Sequence, residues 1–237
     1  MKPKKYLKNM TAIGCAALIA LLSGCASSTA VTFKPDDRAS IRTVSVSSNV
    51  SKPERMTCLD NSARWKGAAA GAVIGGVATA AAVSGELSKT NSSGMQLEQA
   101  MARNGITVER IVRDAFTEEL RKSGMFAVTS GRGDAQFNLA IGPYGLTVAG
   151  LFDGKLAPNL GVTAELVRAD GTRVWKVSRN AISFDGLNVG HPSVIFIGRG
   201  EAHQFEEFRD NPQLLKAAFT VAARVLAQSL VADLKHQ

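Results

Sequence analysis

The chain has 237 residues, of which 45% are hydrophobic and 20% charged, and its formal net charge is +8 at pH 7. Four of its 28 basic residues are lysines in the first eight positions, so the rest carries 24 basic against 20 acidic residues. Acids and bases alternate along that remainder, as in Arg113-Asp114, whereas nucleic-acid-binding proteins collect basic residues on one face. We therefore expect no nucleic-acid partner and a single domain with insertions.

The first 24 residues have the organisation of a secretory signal peptide. An apolar run from Met10 to Leu22 follows the lysine-rich start, which comprises Lys2, Lys4, Lys5 and Lys8. The run has about 13 residues, whereas a helix that spans a bilayer needs about 20. We therefore expect this segment to be removed rather than kept as a transmembrane anchor.

The apolar run ends in Leu22-Ser23-Gly24-Cys25. These residues resemble the bacterial lipoprotein signal, in which an aliphatic residue and two small residues precede a cysteine that receives lipid. The resemblance implies cleavage after residue 24 and three acyl chains on Cys25. Ala26, in place of aspartate, implies export to the outer membrane. Because one acyl chain binds only marginally, three predict a permanent anchor on the inner leaflet, facing the periplasm.

The rest of the sequence divides into a tether at 25–39 and an α+β domain at 40–237, with insertions at 51–105 and 185–208. The tether has no apolar period and predicts an extended reach of about 45–50 Å.

Three cysteines occur in the sequence, and only Cys58 is left once Cys15 leaves with the signal and Cys25 carries the lipid. The periplasm is oxidising, so its thiol chemistry matters. Two interpretations of Cys58 stay open, a small buried hydrophobe and an intermolecular disulfide.

The centre of the first insertion is rich in alanine and glycine. Every fourth residue there belongs to a stripe of mostly small side chains: Ala63, Gly67, Gly71, Gly75, Thr79 and Val83. The 19 uncharged residues between Lys66 and Glu86 would span about 28 Å as a helix, close to the thickness of a bilayer core. A helix at about 63–88 resembles half of a glycine-zipper domain, which implies helix-packing or oligomer contacts at Gly67, Gly71, Gly75 and Gly76.

Three interpretations of this segment stay open: membrane insertion or self-association, packing of the helix on its own domain, and a mobile loop. Each glycine destabilises a helix by about 1 kcal/mol relative to alanine. We therefore expect a helix only where a partner or another copy packs against it. Asn91 to Gly94 should interrupt the chain before a short helix at 96–103.

Two helices of the domain are predicted from apolar residues at helical spacing. The first follows Thr107 and ends at Gly124, with a stripe formed by Val108, Ile111, Val112, Ala115, Phe116 and Leu120. The second begins at Asn211-Pro212, and its stripe consists of Leu215, Phe219, Ala222, Leu226, Leu230 and Leu234.

Strands are predicted at 41–50, 126–129 and 135–148, with Pro143 marking an edge or a bend. Asp170-Gly171 joins two alternating runs and predicts a hairpin with a type I′ turn. Val194 to Ile197 predicts a short edge strand or a lipid- or partner-facing tip.

This order of elements predicts an α+β fold: an antiparallel sheet with helices packed on one face, plus the inserted Ala/Gly-rich helix. The helix ending in Arg121-Lys122-Ser123-Gly124-Met125-Phe126, followed by a sheet with the Asp170-Gly171 hairpin, resembles small periplasmic lipoproteins that assist envelope transport and assembly. The resemblance implies a non-catalytic docking or accessory module. The alternative is a structural lipoprotein that self-associates or inserts into the membrane through the glycine-rich helix.

Residues with catalytic or metal-binding chemistry are sparse. The three histidines, His191, His203 and His236, lack metal-ligand spacing, and no nucleophile elbow or phosphate-binding loop occurs. Four acids, Glu201, Glu206, Glu207 and Asp210, are close in sequence, but no pattern predicts that they share a cleft. We expect no enzyme activity, metal or cofactor. The expected partners are the membrane, through Cys25, and an envelope protein or a second copy of the chain.

Overall fold

A computed structural model describes residues 30–59, 87–149, 154–183 and 193–237. The strands in these ranges are β1 Thr43–Val46, β2 Thr57–Leu59, β3 Ala127–Thr129, β4 Ala135–Val148, β5 Leu156–Arg168, β6 Arg173–Ser183 and β7 Val194–Ile197. The helices are α1 Pro35–Ser40, α2 Leu87–Arg103, α3 Val108–Ser123, α4 Phe205–Asp210 and α5 Pro212–His236, and a 3₁₀ helix covers Arg199–Glu201.

The seven strands form one mixed sheet in the order β3-β1-β4-β5-β6-β7, with β2 paired to β4 beyond this path. The three long central strands are antiparallel, as predicted. The short flanking strands are parallel to their neighbours. A parallel pair needs a long crossover connection, and α2 and α3 lie in the chain between β1 and β3. The α+β class is confirmed, and the sheet is mixed rather than wholly antiparallel.

The core lies between one face of the sheet and helices α3 and α5, as the apolar stripes predicted. The stripe residues Val112 and Phe116 of α3 are at most 3% exposed, and all six stripe residues of α5 are at most 1% exposed. Gly124 ends α3 in the left-handed region, at φ 66°. α5 is long and apolar enough to cross a membrane, but its apolar stripe is covered by the sheet and α3, as in the core helix of a soluble domain.

The hairpin between β5 and β6 forms at the predicted residues with a different turn. The Gly171 N–H donates to the Arg168 carbonyl at 2.9 Å, and Gly171 has a φ of 88°. Asp170 does not have a positive φ, so the turn is not type I′. The arrangement is that of a three-residue loop with glycine at a bulge. The Asp170 carboxylate accepts a hydrogen bond from the Thr172 N–H at 2.8 Å, which stabilises this alternative.

Residues 30–39, which the sequence assigned to the tether, pack on the domain. Val31 exchanges two backbone hydrogen bonds of 3.0 Å with Lys176 on β6. Phe33 is fully buried, and Arg38 donates hydrogen bonds to two carbonyls in the last turn of α5. We call residues 30–40 the N-terminal arm. A single buried phenylalanine creates no apolar period, which is why the sequence pattern predicted a tether here.

Both segments assigned as insertions contribute to the domain. β2 joins the sheet, and α2 runs without interruption through the expected break at Asn91 to Gly94. The predicted helix at 96–103 is therefore the second half of α2. Val194 to Ile197 forms the predicted edge strand β7, and α4 buries Phe208. The predicted Ala/Gly-rich helix at 63–88 lies outside the described residues except for its last two positions, which begin α2.

Candidate functional site at the base of the Ala/Gly-rich segment

The predicted site residues Cys25, Gly67, Gly71, Gly75 and Gly76 lie outside the described residues. The structure shows how the chain is held on both sides of residues 60–86. β2 ends at residue 59, and α2 begins at residue 87. We call residues 51–59, α2 and the adjoining part of β4 the base of the Ala/Gly-rich segment.

On one side of the base, β2 pairs with β4 at unusually close range. Thr57 lies opposite Gly145, whose φ is 150°. A Cβ atom at Gly145 would lie 1.7 Å from the Thr57 carbonyl oxygen, so only glycine fits. The Thr57 hydroxyl also donates to the Tyr144 carbonyl at 3.1 Å. Residue 57 is therefore held against β4 through its backbone and its side chain.

On the other side, α2 approaches the same stretch of chain at Gly94. A Cβ atom there would lie 2.2 Å from the Met56 carbonyl oxygen. Gly94 therefore serves a close approach of two backbones in the middle of α2, where the sequence predicted a break at Asn91 to Gly94. Met56 and Leu97 are buried at this contact. The chain that leads into the Ala/Gly-rich segment is thus enclosed between two glycines.

A polar cluster joins the elements of the base. The Glu98 carboxylate on α2 accepts hydrogen bonds from the Met56 N–H, at 3.1 Å, and from the Tyr144 hydroxyl. The Lys52 ammonium donates to the Tyr144 hydroxyl oxygen at 3.2 Å and lies 3.7 Å from Glu98. The same ammonium stands 5.3 Å from the centre of the Tyr144 ring, and 4.0 Å from Glu109 on α3.

The Tyr144 hydroxyl acts as a permanent hydrogen-bond donor in this cluster. Its side chain is 2% exposed. Burial raises the pKa of Tyr144 well above its usual value, and the hydrogen bond to the neighbouring Glu98 carboxylate raises it further. The cluster is therefore suited to holding the two sides of the base together, and it fixes where the segment leaves and re-enters the domain.

Sequence reasoning missed this cluster because its members come from separate elements. Lys52 and Tyr144 are 92 positions apart, and Glu98 and Tyr144 are 46 apart. The available signals were Gly94 within a helical stretch and Gly145 within a strand, since each is unfavourable there without a close backbone contact.

The candidate acids and His203 serve local structure. His203 Nδ1 lies 3.1 Å from Glu207 Oε2, which also accepts the Gln204 N–H and closes the capping box of α4. Asp210 pairs with its exposed neighbour Arg209. Across the described ranges, no group of three His, Cys, Asp or Glu side chains could hold a metal ion. His191 lies outside those ranges.

Cys58 lies on β2 and is 3% exposed. A sulfur at this depth is inaccessible to a second protein chain. The position therefore favours the buried hydrophobe over the intermolecular disulfide.

The sheet face opposite α3 and α5 carries a shallow polar cleft of about 320 Å³. It is lined by Ser47, Asn49, Ser51, Asn138 and Glu165, among others. The hydroxyls of Thr163 and Ser178 contact each other at 2.7 Å beside it. The hydroxyls of Ser47, Thr163 and Ser178 already have hydrogen-bond partners within the protein, so the base remains the stronger candidate.

No family model matches the chain, and no curated protein matches it. Among solved structures, a Xanthomonas campestris protein of the DUF330 family aligns over 85% of this chain and 87% of its own, at 12% identity and a TM-score of 0.41. A PelC dodecamer from Paraburkholderia phytofirmans aligns over 80% and 86%, at 14% identity and a TM-score of 0.29. Lipoprotein GNA1162 from Neisseria meningitidis aligns over 63% and 88%, at 18% identity and a TM-score of 0.24.

Proposed function

We propose that this protein is a non-catalytic, lipid-anchored docking or accessory module of the bacterial envelope, held on the inner leaflet of the outer membrane. It presents the Ala/Gly-rich segment at residues 60–86 to a protein partner. The base is the observation that carries this proposal. Two backbone contacts that only glycine permits, together with the Glu98–Tyr144–Lys52 cluster, hold the chain on both sides of the segment.

The construction of the base supports a positioned element over a mobile loop. Closing a loop becomes only slightly less favourable as the loop lengthens. A segment that merely connected β2 to α2 could therefore be closed without the tight backbone contacts at Gly94 and Gly145. A segment that must meet a partner in a set orientation gains from fixed ends, since less conformational entropy is lost on binding. The small-residue stripe supplies a surface that another helix can approach closely.

Self-association is the second candidate, and the spacing of Gly67, Gly71 and Gly75 favours it. Identical stripes on two copies are complementary to each other, because each backbone can occupy the space that the other leaves free. The two candidates therefore differ in what the segment contacts, and the same stripe serves both.

Crosslinking of the lipidated protein in membranes tests the contact. We expect Gly71→Leu to abolish the crosslinked species, because it adds a bulky side chain where two backbones should nearly touch. Ala69→Leu is the matched control, since residue 69 falls on the opposite side from Gly71 in the helix that the sequence predicts. Adducts with a different protein support the docking module, whereas a ladder of the protein itself supports self-association. Identical patterns from both variants and the wild type contradict a contact through the stripe.

The anchor has a separate test in Cys25→Ser. We expect this variant to remain an uncleaved precursor without acyl groups, measured by metabolic labelling with a fatty acid. Retained acyl labelling contradicts the lipid anchor and the location that depends on it.

A further inference from the structure

One corner of the sheet carries three half-buried apolar side chains, which we call the corner patch: Ile182, Val194 and Phe196. Ile182 on β6 lies directly opposite Phe196 on β7 in the strand register. Directly opposed side chains lie on the same face of a sheet, so these two are neighbours. Val194 is two residues from Phe196 and shares that face.

The corner patch faces away from the helices. Arg179 on β6 pairs with Asp233 on α5 at 2.5 Å, which assigns odd-numbered residues of this stretch to the helix side. Ile182, three positions later, therefore faces the open side. On β7, Ile195 packs against the core and Ile197 is buried, so the alternation leaves Val194 and Phe196 on the open side.

The N-terminal arm joins the domain at the same edge of the sheet. β5 occupies one edge of β6, and both Val31 and β7 pair with the other. Val31 lies opposite Lys176 and Val194 lies opposite Asn180. Four residues along a strand span about 13 Å. The first residue that the arm fixes to the sheet therefore lies on the same edge as the corner patch, about 13 Å from Val194.

The short chain ahead of Val31 limits where the lipid can lie. Cys25 precedes Val31 by six residues, which reach about 20 Å when fully extended. A domain of about 200 residues has a radius of gyration of about 16 Å and a diameter of about 40 Å. An acylated Cys25 therefore stays within about 20 Å of Val31, and the edge of the sheet that carries Val31 and β7 is on the side of the domain nearest the anchor.

We propose that the corner patch rests on the phospholipid surface of the membrane that holds the lipid anchor. This inference depends on the lipid anchor in the proposed function. Apolar and aromatic side chains are stabilised at the boundary between headgroups and acyl chains. The patch thereby gives the domain one orientation on the membrane, with the opposite edge, β3, pointing into the periplasm.

Fluorescence quenching by brominated phospholipids tests this orientation. The lipidated, full-length mature protein is reconstituted into phosphatidylethanolamine and phosphatidylglycerol vesicles, with and without brominated acyl chains. The fluorescence that Phe196→Trp adds is obtained by subtracting the wild-type signal. We expect this added fluorescence to be at least twofold lower in vesicles with brominated chains than in vesicles without them. Ala127→Trp is the matched control, because residue 127 is exposed on β3 at the opposite edge of the sheet. Its added fluorescence should stay unquenched.

Vesicle flotation tests the lipid anchor independently of the contact between the patch and the membrane. Protein that floats with vesicles but shows no quenching at position 196 overturns the patch and leaves the lipid anchor intact. Quenching that is equal at positions 196 and 127 also overturns it, because the domain then has no preferred edge. Crosslinks between the β7 strands of two copies, without quenching, would mean that the patch contacts a second copy of the chain instead of the membrane. Protein that does not float contradicts the anchor and this inference together.

Discussion

The core of the domain and the base of the Ala/Gly-rich segment are held together by different interactions. In the core, aromatic side chains meet edge to face, as Phe137 does with Phe116 at 5.1 Å and with Trp175 at 6.1 Å. In the base, Gly94 and Gly145 have no side chain, so the backbone of residues 56 and 57 can approach them closely. A charged cluster then links the elements of the base. The core therefore depends on filled volume, whereas the base depends on volume left empty. We expect the core to set the global stability, whereas the base holds residues 56–58 between α2 and β4.

Phe219→Ala should produce the largest effect, because this residue belongs to the core and also touches the base. Phe219 is fully buried on α5, and its ring centre lies 6.4 Å from that of Tyr144. We expect a loss of about 3–5 kcal/mol in the free energy of unfolding, measured by chemical denaturation. Lys216→Ala, on the exposed side of the same helix, should change it by less than about 0.5 kcal/mol. An unchanged midpoint for Phe219→Ala would contradict a core role for α5.

Gly94→Ala should reveal the opposite requirement of the base. In an ordinary helix this change stabilises by up to about 1 kcal/mol. Here the added carbon would lie 2.2 Å from the Met56 carbonyl oxygen, and overpacking of this kind usually destabilises by about 1–3 kcal/mol. We therefore expect a net loss in the free energy of unfolding.

Gly131→Ala is the control for that loss, because a Cβ atom at Gly131 meets nothing within 4 Å. It should be close to neutral. A stabilising Gly94→Ala would mean that α2 does not approach residue 56, and the distinction between the two regions would then fail.

The same distinction explains what could be predicted from the sequence. A sequence pattern within a single element predicts each of three features: α3, α5 and the β5–β6 hairpin. In each, apolar residues that recur at regular spacing indicate the buried face. The polar cluster of the base leaves no local pattern in the sequence, since Glu98 and Tyr144 meet only after α2 has packed on β2. The arm was missed for a related reason, because Phe33 is a single anchor among polar residues. The parallel pairing of the short strands depends on crossover paths, which periodicity does not encode.

Tyr144→Phe should have a smaller effect than the glycine change, because it removes the hydrogen bonds of one hydroxyl and leaves the packing unchanged. The hydroxyl donates to the Glu98 carboxylate and accepts from the Lys52 ammonium, and hydrogen bonds to charged groups contribute about 1.5–3 kcal/mol. Glu98 keeps the Met56 N–H as a donor, so we expect about 1.5 kcal/mol. Hydrogen exchange at residues 56–58 should accelerate in this variant, while exchange in α5 should change little.

The pH dependence of stability should identify Tyr144 directly. Because the folded protein raises the pKa of Tyr144, the folded state holds this proton more tightly than the unfolded state. The contribution of Tyr144 to stability is therefore complete below about pH 10, the pKa of an unperturbed tyrosine, and is lost as the pH rises further. Tyr6 lies in the predicted signal peptide, so absorbance of tyrosinate in the mature protein reports Tyr144. We expect that absorbance to appear only as the protein unfolds, and a normal titration near pH 10 would contradict the buried hydroxyl.

Lys52→Gln should give the smallest effect and the sharpest test of what holds the base. The ammonium lies 3.7 Å from Glu98 and 4.0 Å from Glu109, and the Lys52 side chain is 31% exposed. Pairs of this kind are screened by solvent and usually contribute less than about 1 kcal/mol. We expect a loss of that size in low salt, which shrinks as the ionic strength rises because mobile ions screen the charges. The effect should stay below that of Gly94→Ala at every salt concentration. A larger loss for Lys52→Gln would mean that charge, rather than close contact between backbones, holds the two sides of the base together.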